Sequence, residues 1–152
     1  MRRTDRQITD FEEIAGILRR ADSMRLGING APYPYVAPLS FGMEAEAGKI
    51  TLYFHGAKAG LKHELLAADP HVCVEADIFH GCAEAPGGIT AKYESFIGFG
   101  KAVLVHGEEA ARGMDLLLAQ CGFEGYVYSA EALDAAALYK IELESFTGKR
   151  NL

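Results

Sequence analysis

Cysteine is scarce in this sequence, and the cysteines that are present form no recognisable pairing. Cys73, Cys82 and Cys121 are odd in number and include no C-x-x-C motif. A disulfide framework needs paired cysteines, so we expect reduced thiols. Other metal-ligand types stand between the first two cysteines, but they meet no standard zinc spacing; they are Glu75, Asp77 and His80. Free cysteines without a bound metal are therefore the expectation.

Long apolar runs and an excess of basic residues are also missing. No apolar stretch approaches the roughly 20 residues that a membrane-spanning helix needs. Acidic residues outnumber Lys and Arg by 21 to 15, and the net charge of −6 argues against general nucleic-acid binding. The basic cluster of Arg2, Arg3 and Arg6 is followed by no apolar segment, so it predicts a solvated tail and no secretory signal. We expect a cytoplasmic protein that binds neither membranes nor nucleic acids.

The composition is that of a soluble globular protein. The chain has 152 residues, of which 49% are hydrophobic and 24% are charged, and it contains no repeat or linker. This length is typical of one domain with a substantial core, here residues 1–152.

Hydrophobic periodicity predicts about six strands. They are expected at 24–28, 35–43, 49–55, 71–77, 93–105 and 138–143. Helices are expected after the capping pair Thr9-Asp10, after His55 and over 108–120, and 81–88 is expected to be a glycine-rich loop. Pro38 requires a bulge or an unpaired edge position.

Turn signals at Asn29-Gly30 and near Gly48 predict hairpins between neighbouring strands. Helices are inserted irregularly and do not alternate with strands. The pattern therefore favours an antiparallel barrel or sandwich with helices at its ends.

The segment from Ile50 to Lys62 carries the strongest functional signal. A strand leads into a turn at Gly56, and a helix then opens with Lys58 and Lys62 expected on one face. Free N–H groups and the dipole at a helix start favour an anion, and two lysines add positive charge. The segment predicts a phosphate-bearing ligand. The alternative is an ordinary exposed helix start with solvated lysines.

Standard nucleotide and hydrolase motifs do not explain this segment. A nucleoside-triphosphate loop needs G-x-x-x-x-G-K-[ST], whereas Leu61 separates Gly60 from Lys62 and His63 stands where the hydroxyl should be. The dinucleotide fingerprint G-x-G-x-x-G does not open this helix, and the chain contains no G-x-S-x-G elbow.

The stretches 33–42, 52–62 and 95–102, together with 1–6 and the closing 147–150, resemble one family in order and spacing. The chain is similar to the pyridoxamine-5′-phosphate-oxidase-like flavoproteins, and specifically to their 5-nitroimidazole-resistance-like branch. The resemblance runs from end to end. It implies a mainly β fold, a six-stranded antiparallel split β-barrel with peripheral helices. It also implies a homodimer with FMN held in clefts between the subunits.

The resemblance also implies site residues. The phosphate is expected at Lys58 and Lys62 with backbone N–H groups near Ala57, and the flavin ring at Pro38, Leu39 and Ser40. Strand residues that deliver the chain to the cofactor, or that make further contacts, are expected to be Tyr53, Phe54, His55, Ser95 and Ile97. Two departures stand out: the family often has serine where this chain has Gly56, and 78–91 is poorly matched.

The activity implied is nitroreductase-like reduction of a small acceptor by an FMN-dependent oxidoreductase. His55 is the candidate catalytic residue, although a structural role fits it equally well. Two other functions stay open: a flavin-binding module for storage or sensing, and a relative on the same barrel that binds haem or another cofactor.

Overall fold

The computed structural model describes residues 3–152, which form mainly antiparallel strands with helices around them. The strands are β1 (Gln7–Ile8), β2 (Met24–Ile28), β3 (Tyr35–Leu39), β4 (Gly42–Glu46), β5 (Lys49–Ala57), β6 (His71–Ala85), β7 (Gly88–Val105) and β8 (Ala136–Asn151). The α-helices are α1 (Phe11–Arg20), α2 (Leu61–Ala68), α3 (Gly107–Gln120) and α4 (Ala130–Ala135), and a 3-10 turn covers Thr4–Arg6. Within the described residues, no helix is long and apolar enough to cross a membrane.

All strands belong to one sheet whose two ends do not pair with each other. The order is β3-β2-β6-β7-β8-β5-β4, every pairing is antiparallel, and β1 adds to β8. This is the expected split barrel with peripheral helices, although it has eight strands where six were predicted. Pro38 lies on the edge strand β3, where a residue without an N–H group interrupts no ladder.

The core forms where α1 covers the inner face of the sheet. Asp10 caps this helix by accepting a 2.8 Å hydrogen bond from the Glu13 N–H group, which confirms the expected start. Its apolar stripe of Ile14, Ile17 and Leu18 is buried, as predicted. The stripe packs in one cluster with fully buried side chains of the strands; among these are Leu26, Leu52, Phe54, Phe96 and Ile141.

Two of the predicted elements are wrong. The strand expected over 35–43 is two strands, because the chain crosses at Ser40-Phe41 from one edge of the sheet, beside β2, to the other, beside β5. The loop expected over 81–88 is instead the tip of a long ribbon in which β6 and β7 pair as far as Ala85 and Gly88. Its glycines support the ribbon: Gly81, at φ 99°, lies at a register shift, and Gly87, at φ 89°, makes the turn.

Several other boundaries agree with the sequence more closely, although β8 continues to Asn151 where the predicted strand ends at 143. The hairpins expected at Asn29-Gly30 and Gly48 join β2 to β3 and β4 to β5. Helix α2 ends before Asp69-Pro70, and α3 ends before Gly122 at φ 85°. At the N-terminus, Arg3 pairs with Asp5 at 2.6 Å, whereas Arg2 lies outside the described residues.

Candidate anion and cofactor site

The turn between β5 and α2 presents the free end of a helix. Strand β5 extends to Ala57. Gly60, at φ 105°, is the N-cap residue of α2, and no side chain hydrogen-bonds to the N–H groups at this helix start. The Glu64 N–H group donates to the Gly60 carbonyl at 3.0 Å, so the three N–H groups before it have no partner within the helix. Lys58 lies in the bend and only Lys62 is helical, so the expectation of two lysines on one helix face is wrong.

Lys62 lies back over the strand that it follows. Its Nζ atom is 5.7 Å from the centroid of the Phe54 ring, and the residue as a whole is half-buried. Burial lowers the pKa of this ammonium group. None of the ion pairs within residues 3–152 includes Lys62. A partly buried cation without a carboxylate is costly, and an anion from solution would lower that cost.

Gly56 makes room for this position of Lys62. A Cβ atom at residue 56 would lie 2.8 Å from the Lys62 Nζ atom and 3.0 Å from its Cε atom. The serine that the resemblance leads one to expect here would therefore displace the lysine. In this chain the ammonium group occupies the space that a serine side chain would fill.

His55 lies two residues before the end of β5 at Ala57. Its side chain is partly open to solvent, and its pKa lies below the ordinary value of 6.5, first because of burial and second because of the Lys62 charge. The imidazole is therefore mainly neutral at pH 7.

Tyr53 and Phe54 are buried, so their side chains are not open to a ligand from solution. Tyr53 packs against Gly113 of α3, and Phe54 stacks on Tyr139 with ring centroids 4.9 Å apart. The Tyr139 hydroxyl is in turn 2.6 Å from Nδ1 of His63 in α2. Phe54 is therefore linked through Tyr139 to α2, and Tyr53 contacts α3.

The chain also brings Ser40 toward the end of β5, whereas Pro38 and Leu39 lie on β3. Gly42 pairs with Tyr53 of β5. Ser40 precedes Gly42 by two residues, so the Cα atoms of Ser40 and Gly42 are at most about 7 Å apart. Pro38 and Ser40 are exposed, whereas Leu39 packs partly against the core. Ser40 and the predicted phosphate turn therefore lie toward the same end of β5.

Ser95 and Ile97 do not join this cluster within one chain. Ile97 pairs with Thr147 of β8, whereas His55 pairs with Leu138, nine residues earlier on that strand. At about 3.3 Å per residue, this is roughly 30 Å of strand. Ile97 instead shares the outer face of the sheet with other exposed apolar side chains, among them Phe99 and Val103.

Beside the turn, a cleft of about 390 Å³ opens between β7, β8, α3 and α4. Lys58 and His63 line it, together with Leu104, His106, Asp134 and Leu138. Sequence reasoning missed the last four residues. They come from separate elements and share no local motif, so only the paired strands and packed helices bring them together.

The comparisons with known proteins agree with this architecture. The family model described as pyridoxamine 5′-phosphate oxidase matches residues 10–150. The chain belongs to this family. The expected family is thus confirmed, and no curated protein matches the chain at a significant level.

Solved structures of the same fold include a candidate 5-nitroimidazole antibiotic resistance protein from Bacteroides thetaiotaomicron. It is 28% identical with a TM-score of 0.84, over 94% of this chain and 85% of that one. The flavocytochrome Anf3 from Azotobacter vinelandii is 19% identical with a TM-score of 0.81, over 100% of this chain and 72% of that one. An FAD- and haem-binding protein from Mycobacterium smegmatis is 17% identical with a TM-score of 0.76, over 96% and 73%. The Azotobacter and Mycobacterium proteins share the fold of the present chain. The Bacteroides protein also agrees with the branch of the family that the sequence resembles.

Proposed function

We propose that this protein binds the phosphate of FMN at the turn between β5 and α2. The observation that carries the proposal is the half-buried side chain of Lys62, whose ammonium group has no carboxylate partner among the described residues. Lys62 belongs to the first turn of α2, which no side chain caps. Backbone N–H groups near Ala57 and the exposed Lys58 complete the cationic turn. Membership of the pyridoxamine 5′-phosphate oxidase family, and relatives named as flavin-binding proteins, support a flavin as the ligand.

The flavin ring is proposed to lie against Pro38, Leu39 and Ser40, at an interface between two copies of the chain. Ser95 and Ile97 are too far along the sheet to contact a ligand of the same chain. A two-fold partner that covers the exposed row of Ile97, Phe99 and Val103 would carry these residues toward the other subunit's turn. A homodimer would thus bring the phosphate turn of one subunit together with Ser95 and Ile97 of the other.

The proposed activity is electron transfer to a small acceptor, for which bound FMN supplies the redox chemistry. The chain's own contribution is to bind the phosphate, to orient the ring and to exclude water. The proposed role of His55, whose pKa is lowered, is to donate a hydrogen bond from a ring N–H group to the cofactor or the acceptor, or to transfer that proton.

The phosphate contact is tested by comparing FMN with riboflavin, which lacks the phosphate. Lys62→Ala should weaken FMN by about ten- to a hundredfold, since a charge-assisted contact contributes about 1.5–3 kcal/mol. Riboflavin affinity should change little. Lys49→Ala, at the far end of β5, is the matched control and should leave both affinities unchanged. Equal losses for the two flavins in Lys62→Ala would contradict a phosphate contact.

The redox activity is tested by stopped-flow re-oxidation of the photoreduced protein with a nitroaromatic compound. Transfer faster than from free reduced FMN supports an oxidoreductase, and a slower rate in His55→Gln with FMN still bound would assign a proton-transfer role to His55. A rate no faster than that of free FMN would instead favour a flavin storage or sensing module. The visible spectrum of the purified protein distinguishes flavin from haem.

A further inference from the structure

Tyr139 places a hydroxyl group at the edge of the apolar core. The residue is 3% exposed and belongs to the main buried cluster. A buried hydroxyl group without a hydrogen-bond partner is destabilising, and folded proteins supply one. Among the described residues that partner is Nδ1 of His63, 2.6 Å away. Burial raises the pKa of the Tyr139 hydroxyl, so this group stays protonated at pH 7 and can donate to a neutral imidazole.

His63 belongs to the first turn of α2 and directly follows Lys62. The Nζ atom of Lys62 is 5.7 Å from the centroid of the Phe54 ring, and His63 contacts Tyr139. Phe54 and Tyr139 are opposite each other in the ladder between β5 and β8, and their rings stack 4.9 Å apart at an angle of 6°. Two consecutive residues of the helix therefore lie on one cross-strand pair of aromatic rings.

The remainder of α2 is attached to the core at few points. Across Leu61–Ala68, Leu66 is the one buried residue. Leu61, the first helical residue, is 55% exposed, and Gly60 before it has no side chain to hold the helix start. A hydrogen bond is directional, whereas an apolar contact is not. The contact between His63 and Tyr139 therefore fixes the direction in which the first turn of α2 points.

We propose that Tyr139 and His63 are positioning residues for the phosphate turn. The hydroxyl group holds the His63 ring, the ring holds the first turn of α2, and that turn presents Lys62 and the free backbone N–H groups. Charge-assisted hydrogen bonds need a donor at about 2.7–2.9 Å from the oxygen atom, so a small shift of the turn weakens the contact with a phosphate. This inference rests on the proposed phosphate contact and adds the residues that orient it.

Tyr139→Phe removes the hydroxyl group and keeps the ring that stacks on Phe54. The FMN affinity of this variant should fall about three- to tenfold, the range of one neutral hydrogen bond, whereas the affinity for riboflavin should stay within about twofold because riboflavin has no phosphate. Tyr128→Phe is the matched control. The Tyr128 hydroxyl lies 3.0 Å from the Ala111 carbonyl and 2.9 Å from an Asp115 carboxylate oxygen, so it contacts α3 and not α2. This control should leave both flavin affinities unchanged.

Substitutions of His63 separate positioning from a general loss of stability. His63→Leu should cause a similar loss of FMN affinity, with no further loss when Tyr139→Phe is added, because both changes break one contact. His63→Asn offers an amide group near the position of Nδ1 and should restore most of the affinity. Equal losses for FMN and riboflavin in Tyr139→Phe, or additive losses in the double variant, would overturn the inference. So would a His63→Asn variant that binds FMN no better than His63→Leu.

Failure of the proposed flavin site is a separate result. If the wild-type protein binds neither flavin, the flavin proposal fails, and inorganic phosphate becomes the probe. Its dissociation constant, measured from the phosphorus NMR signal, should then rise about three- to tenfold in Tyr139→Phe and stay unchanged in Tyr128→Phe. Equal phosphate binding by the wild-type protein and Tyr139→Phe would overturn the inference. Should Tyr139→Phe unfold, His63→Leu, at a partly exposed position, permits the same comparison.

Discussion

At the residue scale, the charges of Lys62 and His55 affect each other. The positive charge of Lys62 lowers the pKa of His55, in addition to the larger effect of burial. An anion at the turn would offset that charge. The protonation of His55 therefore reports on what is bound beside Lys62.

The first prediction is that the His55 pKa lies below 6.5 and rises when Lys62 loses its charge. Lys62→Met keeps the aliphatic length and should raise the pKa, as should inorganic phosphate at the turn, because each reduces the local positive potential. Imidazole proton shifts followed by NMR against pH measure it. Lys49→Met should leave the titration unchanged, and a pKa that is insensitive to Lys62→Met would contradict the coupling.

A second prediction concerns stability against acid. Because the folded pKa of His55 is depressed, the unfolded chain takes up this proton more readily as the pH falls below about 6.5. This group therefore lowers the free energy of unfolding as the pH falls from 6.5 to the folded pKa. His55→Gln should flatten that part of the profile measured by urea unfolding, and an unchanged slope would argue against the depressed pKa.

At the scale of elements, glycines let α3 pack closely on the strands that hold the site. A Cβ atom at Gly42 would contact the backbone of Leu116 and Leu117, and one at Gly113 would lie 2.6 Å from the Tyr53 ring. Tyr53 is in β5, directly before the residues of the turn. Close packing at these two glycines therefore joins α3 to β4 and β5.

The third prediction is that Gly42→Ala lowers the free energy of unfolding by about 1–3 kcal/mol, as overpacking does when backbone must move. Gly27→Ala in β2 is the matched control, since its new Cβ atom would meet Cys73 at an ordinary 3.5 Å. For this control, the free energy of unfolding measured in urea should change little or rise slightly. Equal effects of the two substitutions would show that the α3 contact is unimportant.

At the scale of the whole molecule, the outer face of β7 is unusually apolar for a surface. Ile97, Phe99 and Val103 are 42%, 51% and 52% exposed. Lys101 lies in the same row, between Phe99 and Val103, and is 3.8 Å from Glu144, while Lys140 of the neighbouring strand is 3.0 Å from Glu142. Exposed apolar side chains with ion-paired neighbours form a surface that a second subunit could cover.

The fourth prediction is that the protein is a dimer of twice 16.4 kDa and that Phe99→Lys makes it monomeric. A buried charge at the centre of the proposed interface would be unpaired, so dissociation should follow, with weaker FMN binding. Light scattering and flavin titration measure the two effects. Val127→Lys, at a side chain that is 88% exposed, should change neither. A wild-type monomer that binds FMN would contradict the proposed interface.

The sequence by itself determined what depends on neighbours along the chain. The Asp10 cap, the hairpins at Asn29-Gly30 and Gly48, the end of α2 before Asp69 and the strand that leads into the Gly56 turn all follow from local chemistry. Residue patterns over the whole chain also determined the family. These features need only short-range hydrogen bonds, backbone preferences and hydrophobic periodicity.

Only the tertiary structure decided which distant segments meet. It broke the strand expected over 35–43 into β3 and β4, because the two parts pair at opposite edges of the sheet. In the folded chain, Lys62 lies over Phe54, and Lys58 lines the neighbouring cleft. The same cleft contains Leu104 and Asp134, which come from distant parts of the chain. Such contacts depend on strand pairing across many residues, and local sequence patterns do not specify that pairing.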